Sequence, residues 1–72
     1  MMDNDLYNLM KAMVKKAQAV SKYDQYLIDA SKSGCSECAA LWQEMQAEDT
    51  KRLSEMKKVF KAHFYKFNEH ES

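Results

Sequence analysis

Cys35-Ser36-Glu37-Cys38 is the one constellation of reactive side chains in this sequence, and it contains both of the chain's cysteines. A thiolate is the nucleophile of disulfide exchange and a ligand in zinc sites, so two thiols at this spacing point to either chemistry. At the start of a helix the unpaired amides favour the ionised first cysteine, as in dithiol redox proteins. The alternative is half of a tetrahedral zinc site, completed by a second pair from another chain. The redox motif ordinarily follows a strand in an α/β fold, and no strand is expected here. The plainer reading makes Cys38 a small core residue and Cys35 a partly exposed free thiol, since a reducing cytoplasm disfavours a structural bridge.

Three other features carry charge or titratable groups. Lys16 interrupts an otherwise apolar seam. Asp49 lies on an inward stripe of the second half of the chain, with Glu48 beside it, and His63 falls on the same stripe near Phe60, Phe64 and Phe67. A histidine in such company is expected to be packed rather than catalytic. Lys57, Lys58, Lys61 and Lys66 give the second helix the basic end that its dipole favours, which explains them without nucleic acid. Glu44, Glu48 and Glu55 alternate with Lys51 and Lys58 at helical spacing and read as a solvated face. No Ser-His-Asp order, phosphate loop or catalytic carboxylate pair can be assembled, so the chain is expected not to be an enzyme and to hold no cofactor.

The elements that position these residues follow from periodicity. Leu6, Met13, Val20 and Leu27 stand seven apart, and Leu9, Lys16, Tyr23 and Ala30 repeat the interval three positions later, the signature of a helix with a coiled-coil-like seam. Cys38, Trp42, Met45, Asp49, Arg52 or Leu53, Met56, Phe60, His63 and Phe67 trace a second stripe. Leu41, Val59 and Phe64 widen it beyond what one helix covers. The chain has no proline and one glycine, Gly34, and helix formers dominate elsewhere. The fold class is all-α: one domain over 1–72, with helix 1 at about 4–30, a turn at 31–34, helix 2 at about 35–67 and a frayed tail at 68–72. Asp3 or Asn4 is expected to cap the first helix and Ser33 the second. A short connection makes the two helices an antiparallel hairpin, and the surplus apolar surface suggests that two hairpins close into a four-helix bundle.

Counted outward from Gly34, Lys16 falls near the level of Asp49 to Arg52. Lys16 therefore either pairs with Asp49 across the hairpin or runs its stem out to solvent. Eleven basic residues balance eleven acidic ones, so long-range attraction to nucleic acid or to an anionic membrane is not supported. No apolar run approaches the ~20 residues of a membrane span, and the acidic Met1–Asp5 segment lacks a signal-peptide core. The protein is expected to be cytoplasmic.

The run from Glu37 through Trp42, Met45, Asp49, Thr50 and Leu53 to Met56 resembles the second helix of a rubrerythrin-type, ferritin-like hairpin. Ala19, Val20 and Tyr23 are similar to the first helix of that family, in which a ligand glutamate precedes the tyrosine by seven positions. The resemblance covers roughly Leu6 to Phe60 and implies a helical bundle that holds iron between carboxylates. The ligand positions are changed, however. Thr50 and Leu53 stand where the family places Glu and His, and Lys16 stands where it places the glutamate of helix 1. A di-iron site needs those carboxylates to compensate the metal's charge. The resemblance therefore implies a metal-free relative, with a displaced site built from Asp49, Glu48 and His63 as the remaining route to iron.

Taken together, the residues describe a small non-catalytic protein that dimerises through its helices as an interaction or structural module. Its core or dimer residues are Leu6, Leu9, Met13, Val20, Tyr23, Leu27, Cys38, Trp42, Met45, Met56, Phe60 and Phe67. The alternatives are a metal- or redox-responsive protein working through Cys35 and Cys38, and a ferritin-like oxidoreductase with the displaced metal site.

Overall fold

Helix α1 spans Asn4–Ser33 and helix α2 spans Ser36–Glu71, and among the described residues there is no strand. The computed structural model describes residues 4–71, with side chains through Lys66. The helices run antiparallel: Asp24 faces Gln46, Tyr26 faces Trp42 and Lys16 faces Asp49, so numbers fall on one strand of the hairpin as they rise on the other. The molecule is a rod of 57 × 17 × 12 Å.

The hairpin turns on Gly34 and Cys35. Gly34 adopts φ +74°, a left-handed conformation that costs glycine little and an L side chain much. Its N–H donates to Ser31 O at 3.2 Å, and the next N–H, of Cys35, donates to Ala30 O at 2.9 Å. These two bonds form a Schellman motif, which satisfies carbonyls that the end of α1 would otherwise leave bare. Cys35 O then accepts the first intrahelical bond of α2, from Ala39 N–H at 3.0 Å.

Both helices outrun the lengths expected from sequence. Helix α1 continues three residues past Ala30 because Ser31, Lys32 and Ser33 carry no stop signal before Gly34. Ser33 is the last residue of α1, its hydroxyl donating to Ala30 O at 3.1 Å, and does not cap α2. Cys35 takes that role: its Sγ accepts the N–H of Cys38 at 3.2 Å, as a serine oxygen would. Asn4 lies inside α1 rather than before it, and Asp3 lies outside the described residues. Helix α2 remains helical through Glu71 instead of fraying from residue 68, since no glycine or proline interrupts it. The Phe67 side chain, expected on the inner stripe, lies outside the described residues.

The contact between the helices follows the expected seam. Leu6, Tyr23 and Ala30 are buried, and Leu9, Met13, Lys16, Val20 and Leu27 are half-buried along the same face of α1. At the cap and along α2 the half-buried positions are Cys35, Ala39, Trp42, Met45, Asp49, Leu53, Met56, Phe60 and His63, joined by Gln46. One open alternative is resolved and one position differs from expectation. Leu53 rather than Arg52 faces inward, and Cys38 is exposed, its place in the stripe being taken by Ala39. Positions 35, 39 and 42 form the inner row at the 3.6-residue period.

Candidate functional site

Asp49, at the centre of α2, receives two side chains from α1. Lys16 Nζ donates to Oδ1 at 3.3 Å, and the Tyr23 hydroxyl donates to Oδ2 at 2.5 Å. Lys16 and Tyr23 stand two turns apart on one face of α1, which lets both converge on a carboxylate between them. The ion pair expected from the sequence is therefore present. Lys16 also keeps 33% of its side chain exposed, so its stem follows the apolar surface while its head meets Asp49.

Tyr23 lies in the apolar seam and reads from sequence as a packing residue; nothing in its spacing signals the partner of its hydroxyl. Its hydrogen bond is the main cause that holds the Asp49 carboxyl below the usual carboxylate range; partial burial opposes the shift, and the Lys16 ammonium reinforces it. The same bond is the main cause that raises the Tyr23 phenol above its ordinary value, with burial and the Asp49 charge acting in the same direction. The arrangement holds an ionised carboxylate between two donors. It binds its own members to one another and leaves Asp49 committed rather than poised for proton transfer.

Trp42 closes the turn side of this layer. Its ring centroid lies 5.0 Å from Tyr26 and 6.2 Å from Tyr23, and the two tyrosines meet edge-on at 6.0 Å. Such spacings are those of favourable aromatic pairs.

The residues of the displaced iron site do not meet. Asp49 turns to Lys16 and Tyr23, Glu48 is exposed, and His63 lies fourteen positions along the same helix, about 21 Å further on. Among the described residues no group of three or more His, Cys, Asp or Glu side chains is placed to hold a metal ion. The family positions fare no better within one chain: Leu53 faces inward but Thr50 is exposed, whereas shifting by one residue brings Asp49 inward and leaves Arg52 outside, paired with Glu55 at 3.6 Å.

Cys35 and Cys38 are joined by a disulfide, their Cα atoms 5.3 Å apart, so neither is the free thiol expected from sequence. Three residues of helix bring the two side chains onto one side of the first turn, within the separation that a bridge requires. In this oxidised state the pair offers no thiolate to a metal.

Among the described residues no helix is long and apolar enough to cross a membrane. No protein-family model, curated protein or solved structure matches the chain.

Proposed function

We propose that the protein is a non-catalytic, ferritin-like interaction module of the cytoplasm, functional as a homodimer in which two hairpins close into a four-helix bundle. The observation that carries this reading is the surface left uncovered. Among the described residues only Leu6, Tyr23 and Ala30 are buried, and no side chain is below 2% exposure. The chain exposes 5769 Å², whereas a compact monomer of 8.4 kDa exposes about 4,600 Å². The excess, about 1,200 Å², is of the size that each partner buries in an obligate dimer interface.

The uncovered surface is also apolar. On α1, Tyr7, Met10 and Val14 line a shallow groove with Lys11, Lys15 and Gln18. On α2, Leu41, Val59 and Phe64 are 41–55% exposed. A second copy supplies matching helices of the same length and leaves no net charge to oppose association, because the chain itself is neutral. Sedimentation tests the reading directly. A dimer mass at micromolar concentration, with a melting temperature that climbs as protein concentration rises, is the expected outcome. A monomer with a concentration-independent melting temperature overturns it.

A further inference from the structure

We propose that Cys35 and Cys38 form a reversible dithiol–disulfide centre that exchanges with small thiols of the glutathione class, the external thiolate attacking Cys38 and Cys35 departing as thiolate. This site sits at the turn of the hairpin and does not depend on dimerisation.

The bridge is poorly placed to be structural. It spans three positions within a single turn of helix, so it closes a very short loop and removes little freedom from the unfolded chain. The fold also holds the sulfurs together without it. The Schellman bonds at Gly34 and Cys35, and the Ala39 N–H bond to Cys35 O, are all backbone bonds that survive reduction. The same first turn thus presents the pair as a disulfide or as two adjacent thiols.

The two sulfurs are not equivalent. Cys38 is the more exposed residue of the two, whereas Cys35 is half-buried at the N-cap of a 36-residue helix. Cys35 Sγ already accepts the Cys38 N–H at 3.2 Å, so charge developing on that sulfur is met by an amide donor and by the positive end of α2. The sulfur whose thiolate is better stabilised is the better leaving group. Exposure and leaving-group stabilisation therefore select the same polarity.

The exchange balances as follows. A thiolate RS⁻ attacks Cys38 Sγ, the Sγ–Sγ bond breaks, and its electron pair remains on Cys35, leaving RS–S–Cys38. A second RS⁻ attacks the R-bearing sulfur, releasing RSSR and the Cys38 thiolate, which takes a proton from water. Two thiols are oxidised by two electrons and the protein disulfide is reduced; a small-molecule disulfide drives the same steps backward.

The full chain is equilibrated in buffers of glutathione and glutathione disulfide at graded ratios, quenched in acid, alkylated with a maleimide and weighed intact. Both cysteines are expected to convert together in one two-electron transition inside the buffered range, with far-UV dichroism unchanged. Early quenching during reduction is expected to trap a single glutathione adduct, located by fragmentation of the intact chain on Cys38 in at least about tenfold excess over Cys35. A bridge that yields only when helicity is lost, or thiols that instead link two copies, overturns the proposal. An adduct found mainly on Cys35 overturns the assigned polarity and with it the role of the cap. A Cys35→Ser chain keeps a good N-cap and supplies the folded control, in which Cys38 alone carries the adduct.

Discussion

The Tyr23 hydroxyl lies 2.5 Å from Asp49 Oδ2, a bond that joins the two helices at mid-length and sets the ionisation of both partners. Asp49 has a depressed carboxyl in the folded chain, so the stability it contributes is present above the ordinary carboxylate value and is lost as pH falls through the folded one. Tyr23 has a raised phenol, so its contribution is present below the ordinary tyrosine value and is lost as pH rises through the folded one. In Tyr23→Phe the Asp49 carboxyl is expected to titrate at higher pH than in the parent, and the alkaline loss of stability is expected to flatten. Carboxyl-carbon NMR titration of Asp49, with melting curves above pH 9, checks both; an unmoved Asp49 titration contradicts the assignment.

Gly34 gives a cleaner backbone test. A Cβ at this position meets nothing within 4 Å, so Gly34→Ala has no steric contact to lose or gain and pays only for the left-handed conformation. The expected destabilisation is about 1 kcal/mol in urea unfolding. A neutral substitution contradicts the Schellman turn.

Trp42 is half-buried against Tyr23 and Tyr26, so Trp42→Ala is expected to cost about 2–3 kcal/mol, at or below the lower end of the range for large aromatics in full cores. The native tryptophan emission should be blue-shifted relative to the urea-unfolded chain. Emission at the wavelength of free indole in water contradicts the packing.

Val14 and Val59 are each 55% exposed in the hairpin. If the hairpin were the whole functional unit, the double variant Val14→Glu, Val59→Glu would change stability by no more than about 0.5 kcal/mol per site. In the proposed bundle it places charges on surfaces that association covers. The dimer is then expected to dissociate by at least about tenfold more readily in sedimentation, because buried unpaired carboxylates are costly.

The parts of this architecture legible in the sequence are those fixed by counting. One glycine in a chain of helix formers locates the turn, and counting outward from it brings Lys16 near the level of Asp49 to Arg52, within which Asp49 is the partner found. The apolar seam of α1 reads directly because its seven-residue spacing is unbroken. Other features were not legible. A tyrosine in an apolar seam reads as packing, because nothing in its spacing places a carboxylate within reach of its hydroxyl. The inner row of α2 reads correctly from Trp42 onward, but its first step is ambiguous, because both Cys38 and Ala39 stand three or four positions before Trp42 and the smaller, less conspicuous Ala39 is the one that faces inward. The oxidation of the two cysteines is set by a redox equilibrium that spacing alone does not encode.

The brevity of the Gly34–Cys35 connection also bears on how the chain folds. Loop-closure entropy rises with the length of chain enclosed, by about 0.6 kcal/mol for each doubling. Tyr26 and Trp42 enclose little chain, whereas Lys16 and Asp49 enclose roughly twice as much, so contacts close most cheaply beside the turn and extend toward the open end. Helices joined in this way have low contact order and fold in microseconds to milliseconds. Trp42, placed next to the turn, is accordingly an early reporter: its fluorescence should change before hydrogen exchange is suppressed in the far halves of the two helices.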